Sequence, residues 1–119
     1  MSRPRVSAVV ICRDEADRIG ACLASVAWCD EIVVVDSGST DRTLEIARKH
    51  ATRVIEREWP GYVAQKAFAL SQASGDWVLC LDADERCTPA LRAAAEAVIA
   101  SGPPLAGYAV RRHSFQLGR

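Results

Sequence analysis

Apolar residues along the chain form short continuous runs that are separated by more polar segments. Runs of this length, bounded by charged or turn-forming residues, are typical of strands buried on both faces of a parallel sheet. Residues 6–12, 31–35 and 77–81 form such runs. A shorter run at 53–57 and a later one at 106–113 predict two further strands. The pattern therefore predicts five strands distributed along the whole chain.

Between these strands, apolar residues recur three or four positions apart, which indicates one buried face of a helix. The residues expected to face inward are Ile19, Cys22, Leu23 and Val26 in the first helix, Leu44, Ile46 and Ala47 in the second, and Val63, Ala67, Phe68 and Leu70 in the third. Ser39 or Thr40 is expected to cap the second helix, which should end near His50. The third is predicted over 62–74 and ended by Gly75. Thr88 and Pro89 are typical of the start of a fourth helix, which runs to about Ala100.

Strands that alternate with helices predict an α/β, Rossmann-like domain, with a mostly parallel sheet and helices on both faces. We expect residues 1–119 to form one domain. Two of the predicted strands end in acids, Asp36 and Asp82. Because ligands of open α/β sheets bind at the carboxyl ends of the strands, both acids should lie on the ligand-binding edge.

Composition excludes several classes of function. The 119 residues carry 15 basic and 15 acidic side chains, so a net charge of zero gives no basis for nucleic-acid binding. The sequence shows no membrane-spanning run and no signal peptide, and we expect a cytoplasmic location. Five cysteines without CxxC spacing suggest reduced structural thiols rather than disulfides or a zinc site.

The candidate chemistry is concentrated in Asp82-Ala83-Asp84, directly after a buried strand. Two carboxylates at such a strand end can hold a hard divalent cation against a diphosphate. The alternative is a pair of solvated acids that cap the strand. Asp36 can likewise accept hydrogen bonds from a nucleotide, or it can cap the following turn. The glycine patterns of dinucleotide-binding and phosphate-binding loops are absent, so a diphosphate would need another device, such as a metal.

Four segments in order, VVICRDE, EIVVVDSGSTDRT, QKAFAL and GDWVLCLDADER, resemble the nucleotide-sugar-binding half of family 2 inverting glycosyltransferases with the GT-A fold. The resemblance extends over essentially the whole chain. It is strongest to the branch of lipopolysaccharide-core β-1,4-glucosyltransferases. One departure is Asp14, where similar proteins usually carry Asn.

The resemblance implies a role for each matching residue. Asp36 would recognise the base, with uracil as the expected base, and Cys12 and Glu15 would line the nucleotide pocket. Asp82 would face the ribose or sugar of the donor and could contribute to the metal site, and Asp84 would ligate Mg²⁺ or Mn²⁺. Lys66 would balance the charge of the diphosphate, although a solvated helix lysine is the alternative.

The resemblance also implies the reaction: transfer of a hexose, such as glucose, from a UDP-sugar to a saccharide or lipid-linked acceptor. Such an acceptor would bring the enzyme to the inner face of the membrane. An inverting transfer needs a general base, which the resemblance places downstream of the two carboxylates, outside these 119 residues. Two alternatives stay open, a nucleotide-sugar-binding module without turnover and a nucleotidyltransferase.

Overall fold

The computed structural model describes residues 5–100 and 113–116, which alternate between strand and helix in the predicted order. The elements are β1 (Val6–Cys12), α1 (Ala16–Ala24), β2 (Glu31–Asp36), α2 (Thr43–His50), β3 (Arg53–Glu56), α3 (Tyr62–Gln72), β4 (Trp77–Asp82), α4 (Pro89–Ala100) and β5 (His113–Gln116). Positions 106–112 of the predicted fifth strand lie outside the described residues.

All strand pairs of the sheet are parallel, in the order β3-β2-β1-β4-β5. The chain builds outward from β1 to β3 and then crosses back to β4 on the other side of β1. The strand order therefore reverses between β1 and β4, which is where open α/β sheets form a ligand-binding crevice. The predicted α/β architecture and the parallel sheet are confirmed.

The sheet is covered on both faces because successive residues of each strand point to opposite sides. Val10 and Val34 pack with α1 and α2 in one core, whereas Val9 and Val33 pack with α3 in a second core. These four valines are completely buried. The mostly apolar sequences of β1, β2 and β4 thus reflect strands that are covered on both faces, as predicted.

The inward face of α3 agrees with the prediction only in part, since Phe68 and Leu70 pack against the second core but the two other predicted residues do not. Val63 is 80% exposed and Ala67 is also exposed, whereas Gln65 and Ala69 are completely buried. Apolar residues are spread around this helix, so their spacing does not define one face. Gln65 is accommodated because its amide oxygen accepts a hydrogen bond from Arg57 at 3.2 Å.

Gly75 also has a different function from the one predicted. Helix α3 ends at Gln72 and is followed by Ala73 in an extended conformation, so Gly75 does not terminate the helix. A Cβ atom at Gly75 would lie 2.7 Å from Ser7 Oγ and 2.9 Å from the carbonyl oxygen of Arg5. The glycine is therefore required by the close approach of this loop to the start of β1.

Two helix starts were predicted from capping residues, and one of these predictions is wrong. Thr88 caps α4 as expected, since its hydroxyl accepts the backbone N–H of Leu91 at 3.1 Å. Helix α2 begins at Thr43, beyond the reach of Ser39 and Thr40, and it is Asp41 that accepts the Thr43 N–H at 2.9 Å. The two predicted caps are too far from α2 because the loop before it is longer than the sequence suggested.

Candidate functional site

The two acidic strand ends lie at the same edge of the sheet, as predicted. Cys12, the last residue of β1, is in register with Asp36 of β2. Its neighbour Ile11 is in register with Asp82 of β4. Parallel pairing therefore places both acids beside the carboxyl end of β1, at the reversal of strand order.

A cleft of about 310 Å³ opens at this edge. It is bordered by Ile11, Cys12, Arg13, Glu15, Ser37, Trp59, Tyr62, Asp82, Ala83 and Asp84. Four of the six residues singled out from the sequence are in this set: Cys12, Glu15, Asp82 and Asp84. The two others, Asp36 and Lys66, lie close to the cleft but do not border it.

Asp82 and Asp84 are held by a tight turn at the end of β4. The backbone N–H of Asp82 donates to Glu85 Oε1 at 2.8 Å, and the N–H of Glu85 donates to the carbonyl oxygen of Asp82 at 2.9 Å. Ala83, between the two acids, is buried in the core next to α1. The turn therefore places two acidic residues at the cleft, with a buried alanine between them.

This pair suits a hard divalent cation, because carboxylate oxygens are the ligands that Mg²⁺ and Mn²⁺ prefer. Among residues 5–100, no group of three or more acidic, histidine or cysteine side chains converges as a ready metal site. A cation at Asp82 and Asp84 would thus complete its coordination with water or phosphate oxygens. Magnesium sites that use one or two carboxylates together with substrate phosphates have this composition.

Glu15 also borders the cleft and precedes the first residue of α1. Its backbone N–H donates to Thr43 Oγ1 at 2.8 Å, and the next N–H, that of Ala16, donates to Asp41 at 3.2 Å. Two of the N–H groups at the start of α1 are thus satisfied by side chains near the start of α2. The position of Glu15 therefore depends on the loop that follows β2.

Asp36 is completely buried, and its carboxylate is directed toward its own loop. Its oxygens accept the N–H groups of Gly38 and Ser39 at 2.9 and 2.8 Å and the Ser39 hydroxyl. Gly38 adopts a positive φ of 105°, which closes the turn around the carboxylate. This geometry gives Asp36 the turn-capping role that the sequence left open, while recognition of a base stays a prediction.

The Cys12 thiol borders the cleft and donates a hydrogen bond to Asp36 Oδ1 at 3.4 Å. Burial raises the pKa of the Cys12 thiol far above its usual value, and the negative charge of Asp36 raises it further. A thiol in this environment stays protonated at neutral pH and is a poor nucleophile. Cys12 therefore contributes shape and a hydrogen bond to the site rather than covalent chemistry.

Lys66 lies on α3 behind an aromatic ring that borders the cleft. Its ammonium group is 5.6 Å from the centre of the Tyr62 ring, one helical turn away, which is within the range of a cation–π interaction. Burial raises the pKa of Cys80 in β4 to about 11, and the positive charge of Lys66 opposes this shift. Lys66 is therefore positioned near the strand that ends in Asp82 and beside Tyr62, which borders the cleft.

Several residues that border the cleft were not identified from the sequence as site residues. Trp59 and Tyr62, each 46% exposed, contribute aromatic rings. Asp14, noted as a departure from the usual Asn, is not among the residues that border the cleft; it has a φ of 51° and accepts the Thr40 N–H at 2.7 Å. Asn and Asp both tolerate this conformation, so the loop geometry survives the exchange.

Comparisons with known proteins identify the class to which this fold and cleft belong. The Glycosyl transferase family 2 model matches residues 7–118, and the chain belongs to this family. It is 38% identical over 118 residues to LpsC of Rhizobium meliloti (strain 1021), named a lipopolysaccharide core biosynthesis glycosyltransferase. That match covers 95% of this chain and 44% of LpsC.

Solved structures agree with this assignment. S. aureus TarS 1-349 in complex with UDP superimposes with a TM-score of 0.66 at 32% identity, over 82% of this chain and 32% of TarS. Glucosyl-3-phosphoglycerate synthase of Mycobacterium tuberculosis, solved with Mn²⁺, UDP and glucosyl-3-phosphoglycerate, gives a TM-score of 0.61 at 28% identity over 70% of this chain and 36% of the synthase. The GT-A fold is confirmed, and the chain spans less than half the length of these relatives.

Within residues 5–100, no helix combines the length and the apolar character needed to cross a membrane.

Proposed function

We propose that this chain forms the nucleotide-sugar-binding part of an inverting, metal-dependent glycosyltransferase. The donor would be a nucleoside-diphosphate hexose, with UDP-glucose as the first candidate. The observation that carries the proposal is the placement of Asp82 and Asp84 at a cleft where the strand order of a family 2 domain reverses. Membership of this family favours sugar transfer over the nucleotidyltransferase alternative.

Asp84 is the proposed ligand of Mg²⁺ or Mn²⁺, and Asp82 would face the ribose or the sugar and assist the metal. When bound, the metal would act as a Lewis acid that stabilises the departing nucleoside diphosphate. The presence of Mn²⁺ and UDP in the similar glucosyl-3-phosphoglycerate synthase structure supports this arrangement. Glu15 and Cys12 would form the opposite wall of the nucleotide pocket.

Asp36 is proposed to recognise the base and Lys66 to balance the charge of the diphosphate, although neither residue borders the cleft. Asp36 holds the loop that contains Ser37, which borders the cleft, and a base could reach the carboxylate only by replacing one of its present donors. Of the hydrogen bonds that the Asp36 carboxylate accepts, the one from the Cys12 thiol is the longest. Lys66 would have to leave the Tyr62 ring to meet a diphosphate, which its flexible side chain permits.

The acceptor is proposed to be a saccharide or a lipid-linked saccharide at the cytoplasmic face of the membrane. The name of the relative LpsC supports lipopolysaccharide core synthesis as the setting. The general base is proposed to lie in a region that corresponds to the rest of the longer relatives. Neither Glu85, which accepts the Asp82 N–H, nor Glu96, which pairs with Arg92 on α4, is proposed for that role.

Calorimetric titration tests the donor site. UDP should bind in the presence of Mn²⁺ and much more weakly without it, and ADP and GDP should bind less well than UDP. Asp84→Asn should lower UDP affinity in Mn²⁺ at least tenfold while the unfolding midpoint stays close to that of the wild type. Asp17→Asn, an exposed acid of α1 outside the cleft, is the matched control. Equal UDP affinity with and without Mn²⁺, or full affinity in Asp84→Asn, would refute the metal assignment.

Turnover separates the enzyme from a binding module. Incubation with radiolabelled UDP-glucose and a lipopolysaccharide-core acceptor should give labelled acceptor if this chain contains all the groups needed for transfer. Metal-dependent binding of UDP without labelled product would mean that these 119 residues bind the donor without completing transfer, whereas labelled product would refute the placement of the general base outside them.

A further inference from the structure

Arg18 lies between two acidic residues that border the cleft, Glu15 and Asp84. Its Nε lies 3.2 Å from Glu15 Oε1, and its Nη1 lies 3.9 Å from Asp84 Oδ2. Its side chain is 62% exposed, whereas those of Glu15 and Asp84 are 24% and 32% exposed. The guanidinium therefore lies beside two acids that border the cleft, in contact with the carboxylate that we propose as the metal ligand.

A cation bound to Asp84 would experience the charge of Arg18 at close range. Two positive groups that share one carboxylate repel each other, and this repulsion weakens the binding of the metal alone. A diphosphate carries enough negative charge to attract both the metal and the guanidinium. Arg18 therefore disfavours a metal that binds alone and favours a metal that binds together with a diphosphate.

We propose that Arg18 is a positioning residue that suppresses metal binding to the empty cleft and favours the metal together with the diphosphate. This inference rests on the proposed function of Asp84. It implies that Mn²⁺ and the nucleoside diphosphate bind cooperatively, because the charge of Arg18 is unfavourable to the first alone and favourable to the pair. Arg13, which also borders the cleft, is directed to Asp14 at 3.9 Å and does not substitute for this contact.

The test measures Mn²⁺ affinity of the 119-residue chain without nucleotide, from the loss of the electron paramagnetic resonance signal of free Mn²⁺. Arg18→Gln should bind Mn²⁺ about three- to tenfold more tightly than the wild type, because the repelling charge is gone. Arg18→Lys keeps the charge and should remain within twofold of the wild type. Arg42→Gln is the matched control, since Arg42 forms an exposed i,i+3 pair with Glu45 on α2, away from the cleft.

A second titration with saturating UDP measures the cooperativity. The ratio of Mn²⁺ affinities with and without UDP should fall about tenfold in Arg18→Gln. Mn²⁺ affinity in Arg18→Gln that equals or falls below that of the wild type, including no detectable binding by either, would overturn the inference. If the wild type binds UDP only with Mn²⁺ while Arg18→Gln leaves both affinities unchanged, the inference fails and the proposed donor site stands. If UDP does not bind, the donor assignment fails, while the Mn²⁺ comparison still decides the role of Arg18.

Discussion

Replacing Asp36 tests whether this carboxylate holds the loop between β2 and α2. Two backbone N–H groups, those of Gly38 and Ser39, donate to its Oδ2, and the Ser39 hydroxyl and the Cys12 thiol donate to Oδ1. Asp36→Ala removes all four acceptor contacts and leaves donors facing a space that the alanine does not fill. The expected result is a loss of folding stability rather than a selective loss of ligand binding.

The magnitude follows from the two backbone contacts. Hydrogen bonds to a charged acceptor contribute about 1.5–3 kcal/mol each, so two of them represent about 3–6 kcal/mol. Gly38 is exposed, and its N–H can recover a hydrogen bond to water in the variant. We therefore expect Asp36→Ala to lower the free energy of unfolding by about 2–4 kcal/mol, a large part of the 5–15 kcal/mol that is typical of a domain.

Urea unfolding at pH 7, followed by far-ultraviolet circular dichroism, measures this change as a lower midpoint with an unchanged slope. Glu96→Ala removes an exposed carboxylate paired with Arg92 and should cost less than about 0.5 kcal/mol. Asp36→Asn should lose about 1 kcal/mol, because an amide oxygen still accepts both N–H groups. A loss below about 1 kcal/mol in Asp36→Ala would refute the reasoning that these contacts hold the loop.

Substitutions of Gly75 and Glu31 test the contacts around the start of β1. Gly75→Ala should destabilise the fold by about 2–3 kcal/mol, since the added methyl group would collide with Ser7. Gly20→Ala in α1 is the control, because its methyl group meets only an ordinary contact at 3.5 Å and should stabilise the fold by about 0.5–1 kcal/mol. Equal thermal midpoints for the two variants would contradict this. Burial alone would raise the pKa of Glu31, but hydrogen bonds from the Ser74 N–H and the Ser7 hydroxyl lower it below its usual value of 4.5. A lowered pKa stabilises the fold above about pH 4.5, and this contribution is lost as the pH falls through the folded-state pKa. Glu31→Gln should therefore be about 1 kcal/mol less stable than the wild type at pH 7. Between pH 5 and 3 its stability should fall less than that of the wild type. Parallel pH profiles of the urea midpoint for the two proteins would argue against the assignment.

The amino-acid sequence by itself determined the strands, the parallel sheet and the edge at which the site lies. These follow from local patterns, because a run of apolar residues such as 6–12 can be buried only between two layers of helices. The position of Asp82 at the end of such a run places it at the carboxyl edge in any right-handed α/β arrangement. Cys12, Glu15, Asp82 and Asp84 could therefore be brought to one cleft from the sequence and the family resemblance.

Tertiary structure decided the features that depend on contacts between distant segments. Gln65 rather than Val63 is buried, and Arg57, in the loop between β3 and α3, donates a hydrogen bond to its amide oxygen. Arg18 meets Asp84 only because β4 lies next to β1, although 66 positions separate the two residues in the chain. The direction of the Asp36 carboxylate could not be predicted because a cap and a ligand contact satisfy the same local pattern; in the structure it accepts from Gly38 and Ser39 of its own loop and from Cys12 of β1. Continuous apolar runs specify which strand positions are buried, but the buried face of a helix such as α3 and the partner of each polar group are set by the neighbours that folding brings to them.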